Sequence, residues 1–135
     1  MVSQTNKKNM ATIINTKNAP APIGPYNQSV KVGNVLLISG QIALVPETME
    51  LVKGGVEEET HQVMKNLGAI LKEAGLDYSN IAKASIFCKD LSDFSKINEI
   101  YGSYFKGDYP ARECVEVARL PKDVAVEISV IAEAI

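Results

Sequence analysis

The 135-residue sequence has little of several residue types on which enzymes commonly depend. It contains one histidine, His61, and two cysteines, Cys88 and Cys114. A single histidine excludes most Ser-His-Asp triads and nearly every His-rich zinc site, and neither Cys-x-x-Cys nor His-x-x-x-His spacing occurs. Two cysteines are too few for the disulfide framework of a small secreted protein and suit a reducing compartment. The chemistry must therefore use Arg, Glu, Tyr, Asn or Cys.

Strong net charge and long apolar runs are also missing. Fourteen basic and 16 acidic residues give a formal net charge of −2. That balance argues against a nucleic-acid partner held by bulk charge and against a polybasic membrane anchor. No apolar run approaches the ~20 residues that span a bilayer, and no Walker or Rossmann glycine pattern is present. We therefore expect a soluble protein, located in the cytoplasm, with a mitochondrial location left open.

The chain is organised as one domain with a short N-terminal extension. Residues 1–9 are polar, contain no acid and lack the apolar centre of a signal peptide, so residues 1–10 are predicted to be a flexible extension. Residues 11–135 contain no repeat, low-complexity block or linker, and their length fits a single domain.

Hydrophobic patterning predicts a sheet with two helices. Residues 29–32 alternate polar and apolar as a half-buried strand does, and Gly33-Asn34 is a two-residue hairpin signal after them. The next segment, 35–38, is apolar on both sides and is predicted to be a strand covered on both faces. It stops at Ser39-Gly40, where the missing side chain lets a ligand or backbone approach. The proline-rich run 19–26 predicts a stiff, extended loop that delivers Tyr26 to a defined place. The remaining predictions are helices at 56–74 and 93–105, and strands at 83–89, 114–118 and 124–132.

The element order β-β-β-α-β-α-β-β predicts an α+β fold, in which two helices cover one face of a mixed sheet. In the last strand, alternate residues are all apolar and should lie beneath the helices: Val124, Val126, Ile128, Val130 and Ala132. The opposite face carries Ala125, Glu127, Ser129 and Ile131, which is neither a solvated surface nor a core. Since the chain has no residues left for another layer, a second subunit is the natural cover.

Few residues can carry the chemistry, and each has a structural alternative. Arg112 presents a fork of donors that matches a carboxylate, but on composition alone a surface or structural ion pair is the favoured explanation. Glu127 is unusual in a strand and fits either catalysis or a structural bridge to Arg112 or Arg119. Because no Cys–His pair is evident, Cys114 is interpreted as a packed strand thiol, and His61 as a solvated helix side chain.

Four motifs, taken in order, resemble the RidA family, also called YjgF/YER057c/UK114. The resemblance covers about Ala11 to Ala134, and its motifs are Ile23–Gln28 (IGPYNQ), Ile38–Ile42 (ISGQI), Pro110–Asp123 (PARECVEVARLPKD) and Val126–Ile128 (VEI). It implies a chorismate-mutase-like fold that forms a homotrimer, with a central barrel and an active site between neighbouring subunits. It also implies a cofactor-free deaminase that hydrolyses 2-iminobutanoate and 2-iminopropanoate to 2-oxo acids and ammonia.

The resemblance also implies roles for individual residues. The family's carboxylate-binding arginine falls on Arg112, and the acid that positions or activates water falls on Glu127. Cys114 matches a cysteine that is not required as a nucleophile. Pocket-lining positions fall on Tyr26, Gly40, Phe94 and Asn98, with Cys114 beside them. One departure is Glu113, where the family usually has a small residue; strand alternation predicts that its side chain points away from Arg112, whereas a pair with Arg112 would weaken carboxylate binding.

Two other functions compete with the deaminase. A regulatory or binding trimer would sense 2-oxo acids at the same cleft without turnover. Relatives have also been described as ribonucleases or translation inhibitors, but a pI of 5.4 and the absence of a basic aromatic stripe argue against a nucleic-acid partner.

Overall fold

The computed structural model describes residues 2–6 and 11–134, which form seven strands and two α-helices. The strands are β1 (Val2–Asn6), β2 (Ala11–Ile14), β3 (Ser29–Val32), β4 (Val35–Gln41), β5 (Ile81–Cys88), β6 (Ala111–Glu116) and β7 (Val126–Glu133), and the helices are α1 (Val56–Glu73) and α2 (Phe94–Gly102). None of the helices in these residues is both long and apolar enough to cross a membrane.

All seven strands belong to one mixed sheet with the order β1-β2-β3-β4-β7-β5-β6. Strands β5 and β6 are parallel, and the other neighbouring pairs are antiparallel. Helix α2 lies between β5 and β6 in the chain and supplies the crossover that a parallel pair needs. The predicted α+β fold with a mixed sheet and two helices is confirmed.

The hairpin of β3 and β4 has its predicted two-residue loop. Val32 is paired with Val35, and Gly33 adopts a φ of 60°, a conformation that glycine reaches without steric cost. The prediction that residues 35–38 are covered on both faces is wrong for the chain, because Leu37 is 43% exposed while Leu36 and Ile38 are buried. The strand also runs on to Gln41 through an irregularity in its pairing with β7.

Strand β1 was not predicted from the sequence. It pairs antiparallel with β2, with Asn6 opposite Ala11. The polar residues 2–6 lack the apolar alternation that indicates a half-buried strand, so only pairing along the backbone reveals it. The rest of the predicted extension, residues 1 and 7–10, lies outside the described residues.

Both helices lie close to their predicted positions. In α1 the apolar residues that recur at the helical period are buried, from Val63 to Leu71, and three glutamates stand in the first turn, where the helix dipole favours negative charge. Helix α2 ends three residues earlier than predicted. After Gly102 the N–H groups of Tyr104 and Phe105 bond to carbonyls three residues back, at 3.2 and 3.1 Å, so the chain tightens into turns.

The sheet has one covered face and one open face. As predicted, four residues of β7 are buried in the core with the helices: Val126, Ile128, Val130 and Ala132. Ala84, Ile86 and Cys88 of β5 are buried there too, whereas Val124 is buried in a separate small cluster with Ile42 and Leu44. On the opposite face, which we call the open face, four apolar side chains are 40–45% exposed: Val32, Leu37, Val115 and Ile131. The pairing of Leu37 with Ile131 makes this apolar surface continuous across two strands.

Candidate active site

Arg112 is held in a pocket built by helix α2. Its Nη1 donates a hydrogen bond to Asn98 Oδ1 at 2.5 Å. Its guanidinium carbon lies 5.5 Å from the centre of the Phe94 ring and 5.3 Å from that of Tyr101. The cavity beside Arg112 has a volume of about 300 Å³, and we call it the arginine pocket. Its walls are Asn98, Tyr101, Gly102, Tyr109, Pro110 and Arg112. A separate cavity, of about 490 Å³, lies elsewhere in the molecule.

Helical spacing explains how the three partners of Arg112 come together. Phe94, Asn98 and Tyr101 are separated by four and three residues and therefore lie on one face of α2. Strand β6 places Arg112 opposite Ala84 of β5, on the face of the sheet that the helices cover. Phe94 and Asn98, the two positions on this helix that the resemblance indicates, thus both contact Arg112.

No acid of the described residues forms an ion pair with Arg112, so the structural ion pair considered from the sequence is absent there. Glu113 instead pairs with Lys83, with 3.1 Å between Nζ and Oε1, and accepts a hydrogen bond from the Ser85 hydroxyl. Its side chain points away from Arg112, as strand alternation predicts. The guanidinium is therefore anchored but keeps its charge available to a carboxylate ligand.

Glu127 lines a second cavity, of about 490 Å³, which we call the glutamate cleft. Burial raises the pKa of the Glu127 carboxyl above its usual value. Within residues 11–134, no group donates a hydrogen bond to this carboxylate. Gly40, at the irregular end of β4, leaves the space that the carboxylate occupies: a Cβ at Gly40 would lie 2.9 Å from Glu127 Cδ. The predicted close approach at Gly40 is therefore made by Glu127.

The proline-rich loop forms another wall of the glutamate cleft and carries Tyr26. The side-chain amide of Gln28 donates to the carbonyls of Thr16, Ala19 and Pro20, at 3.0, 3.2 and 2.8 Å. The loop is thus fixed from beneath by a buried side chain, and Tyr26 stands at its end 45% exposed. This agrees with the prediction of a stiff loop that places Tyr26.

Arg112 and Glu127 lie on opposite faces of the sheet. Arg112 shares the helix-covered face with Ala84, whereas Glu127 is paired with Phe87 and alternates with the buried Val126 and Ile128. The arginine pocket and the glutamate cleft have no wall residue in common. Within one chain, therefore, the two side chains neither form the structural bridge considered from the sequence nor act on one small molecule.

The remaining candidates have structural surroundings. Cys114 is a free, partly buried thiol that packs against the core, and burial raises the pKa of its neighbour Cys88 to about 11. His61 is not simply solvated as predicted, because its Nδ1 lies 2.8 Å from the Tyr104 hydroxyl. Within the described residues no three His, Cys, Asp or Glu side chains are grouped closely enough to hold a metal ion.

Tyr101 is the site residue that sequence reasoning missed. Its spacing from Phe94 and Ile97 predicts a place on the apolar stripe of α2, and its side chain is indeed buried. The signal that it also reaches Arg112 was its position seven residues after Phe94 and three after Asn98, on the same face of the helix.

Comparisons with known proteins agree with this architecture. The family model described as Endoribonuclease L-PSP matches residues 16–134. A RutC family protein of Pyrococcus horikoshii is 50% identical over 123 residues, which are 91% of this chain and 98% of that protein. The Mus musculus protein named 2-iminobutanoate/2-iminopropanoate deaminase is 50% identical over 120 residues, 89% of each chain. The crystal structure of E. coli TdcF with bound serine has a TM-score of 0.87 and 44% identity, and the match covers 91% of this chain and 98% of that one.

The matched region contains both cavities and every residue singled out from the sequence as a candidate for the site. The chain belongs to the Endoribonuclease L-PSP family, which is the RidA (YjgF/YER057c/UK114) family that its motifs resemble.

Proposed function

We propose that this protein is a hydrolytic deaminase of short 2-imino acids, with 2-iminobutanoate and 2-iminopropanoate as substrates. The observation that carries the proposal is the state of Arg112, which is braced by Asn98, Phe94 and Tyr101 and has no acidic partner among the described residues. Such a guanidinium suits the carboxylate that every 2-imino acid carries. The mouse relative at 50% identity bears the name of this activity.

The active site is proposed to form between two copies of the chain. Because Arg112 and Glu127 face opposite sides of one sheet, a ligand reaches both only where the arginine pocket of one copy meets the glutamate cleft of another. The exposed apolar side chains of the open face favour burial against further copies. A homotrimer, as the resemblance implies, is the assembly we propose.

The reaction follows from these two groups. Arg112 fixes the substrate carboxylate and so orients the electrophilic iminium carbon. Glu127 takes a proton as a water oxygen bonds to that carbon, and returns it to nitrogen as the C–N bond breaks. The proton of the new hydroxyl leaves through the same carboxylate to the departing ammonia, so that protonated imine and water give a 2-oxo acid and ammonium. A raised pKa brings Glu127 closer to neutral pH and makes it a better base.

A coupled assay tests the proposal. A threonine dehydratase supplies 2-iminobutanoate, semicarbazide traps the imine that survives, and added protein should lower the trapped fraction. Arg112→Ala should abolish the effect, while Lys96→Ala, an exposed cation on α2, should keep it. No effect at micromolar protein, or full activity of Arg112→Ala, would overturn the proposal.

A binding protein without turnover is the second candidate. It is favoured by TdcF, a relative whose structure holds bound serine, which is also a small carboxylate. It predicts saturable binding of 2-oxobutanoate together with an unchanged trapped fraction in the coupled assay.

A further inference from the structure

We propose that Tyr101 is a positioning residue that fixes the Arg112 guanidinium through the face of its aromatic ring and not through its hydroxyl. The inference rests on the proposed function, because it concerns how the carboxylate-binding group of that site is held. It assigns a role to a side chain that the pattern of α2 explains only as core.

The ring is placed where it constrains the cation. The ring centres of Phe94 and Tyr101 lie 5.5 and 5.3 Å from the guanidinium carbon of Arg112, within the range of cation–π attraction. Asn98 binds Nη1 between them along the helix. One hydrogen bond leaves a guanidinium free to rotate about it, whereas two rings and an amide on one helix face restrict both its position and its tilt.

The hydroxyl of Tyr101 has no comparable role. It is buried and has no hydrogen-bond partner among the described residues, although a buried hydroxyl normally finds one. Burial raises the pKa of Tyr101, with Arg112 acting in the opposite direction to a smaller extent. The phenol therefore stays neutral at physiological pH, and the part of Tyr101 that acts on Arg112 is the ring.

The ring of Tyr101 is itself braced by a neighbouring aromatic side chain. Phe105 packs against Tyr101 with 4.9 Å between the ring centres, and Phe105 also contacts Tyr78 and Tyr109. These aromatic side chains hold Tyr101 in place before any ligand arrives. The arginine is thus preorganised, so that binding the carboxylate requires little further ordering of its long side chain.

Replacement of Tyr101 by phenylalanine and by pentafluorophenylalanine separates the ring from the hydroxyl. The two replacements have nearly the same shape, but fluorine removes the negative face of the ring on which a cation–π contact depends. We expect Tyr101→Phe to keep KM for the imino acid within about twofold and to unfold at the same or a higher temperature, since it removes an unpaired buried hydroxyl. The fluorinated ring should raise KM about tenfold with kcat nearly unchanged.

Ile70→Val is the control for lost stability. Ile70 is fully buried on α1 and is not a wall of the arginine pocket, so shortening it should lower the unfolding temperature while KM stays near that of the unaltered protein. Equal KM values for the phenylalanine and pentafluorophenylalanine proteins would overturn the inference. So would a tenfold rise of KM in Tyr101→Phe, because it would assign the role to the hydroxyl.

A measurement without ligand keeps this inference separate from the proposed function. The Hε resonance of Arg112 in ¹H–¹⁵N spectra should carry the ring-current shift of Tyr101, retained in Tyr101→Phe and lost in Tyr101→Leu. If the protein shows no imine turnover but the shift depends on the ring, the proposed function fails and the positioning role stands. If the Arg112 Hε resonance has the same shift in Tyr101→Leu as in the unaltered protein, the positioning role is contradicted whatever the activity.

Discussion

The carboxylate of Glu127 occupies the space that a side chain at Gly40 would fill. A Cβ at Gly40 would overlap a carboxylate oxygen and lie 2.9 Å from Cδ of Glu127. These two residues come from neighbouring strands, β4 and β7, at the point where their pairing becomes irregular. The glycine therefore determines where the carboxylate sits in the glutamate cleft.

Gly40→Ala should displace this carboxylate at little cost in stability. The obstructed atoms are at the end of a flexible side chain, and the φ of Gly40 is not in the left-handed region, so the backbone accepts alanine. We expect kcat to fall at least tenfold, since general-base catalysis contributes about 10²–10⁴ and depends on position. The unfolding free energy should change by less than about 1 kcal/mol. Steady-state kinetics and thermal unfolding measure both.

Gly33→Ala is the control and should behave in the opposite way. Gly33 has a φ of 60° and no atom within 4 Å of an added Cβ, so alanine strains the backbone by about 1 kcal/mol and leaves Glu127 in place. Unchanged kcat in Gly40→Ala, with Gly33→Ala behaving as expected, would show that the position of the carboxylate does not matter.

Arg112→Lys should bind the substrate poorly although it keeps the charge. Lysine has neither the planar fork that binds a carboxylate with two bonds nor the flat cation that fits between Phe94 and Tyr101. KM should rise about 10- to 100-fold, which corresponds to a charge-assisted hydrogen bond. Arg119→Lys, in the exposed loop before β7, makes the same exchange and should leave KM unchanged. An unaltered KM in Arg112→Lys would argue that the fork is not used.

The raised pKa of Glu127 makes both activity and stability depend on pH. Because the base must be ionised, kcat/KM should fall with decreasing pH through a pKa above the ordinary 4.5 of a glutamate. Stability runs the other way: a carboxyl whose pKa is raised by folding stabilises the fold below its unfolded pKa, and this contribution is lost as the pH rises through the folded pKa. Glu127→Gln cannot ionise, so it should match the unaltered protein at pH 4 and unfold at a higher temperature at pH 7.5.

Two measurements check this account of Glu127. Glu127→Gln should lose about 10²–10⁴ in kcat and show no acidic limb in its residual activity. Thermal unfolding of both proteins across pH 4–7.5 supplies the second comparison. A gap in unfolding temperature that widens toward low pH would contradict the sign of the pKa change.

Glu113→Ala should leave carboxylate binding unchanged. Glu113 pairs with Lys83 and Ser85 on the open face, whereas Arg112 points to the helix-covered face. Because this ion pair is exposed and screened by solvent, its loss should change stability little. We expect KM of this variant to stay within about twofold of that of the unaltered protein. The mass of the variant in solution should be measured as well. A clearly lower KM would mean that Glu113 competes for Arg112 after all.

Local patterns were sufficient for much of the fold. Alternation in the last strand predicted the burial of Val126, Ile128 and Val130, and it placed Glu127 on the face away from the helices. The hairpin followed from Gly33-Asn34, because that turn needs residues that tolerate positive φ. These features depend on residues close together in sequence, where a single chain segment carries the whole signal.

Features that depend on distant pairing were not predictable in the same way. The face occupied by Arg112 follows from the parallel register of β6 on β5, which connects residues 28 positions apart, such as Ala84 and Arg112. Tyr101 fitted two roles, core residue and partner of Arg112, and only the packing of α2 over β6 shows that it has both. Exposure of Leu37 was missed because apolar residues on both sides of a strand indicate cover without saying whether the same chain supplies it.

Mixing two inactive variants tests most directly whether the active site forms between chains. Arg112→Ala and Glu127→Ala are purified separately, then unfolded and refolded together, with each refolded alone as a control. If Arg112 of one copy acts with Glu127 of another, random assembly leaves about a quarter of the sites with both residues intact, because each site draws its arginine and its glutamate independently. The mixture should therefore recover about a quarter of the unaltered activity in the semicarbazide assay. A mixture as inactive as its two components, with the mass of a trimer three times the 14.6 kDa of one chain, would contradict it.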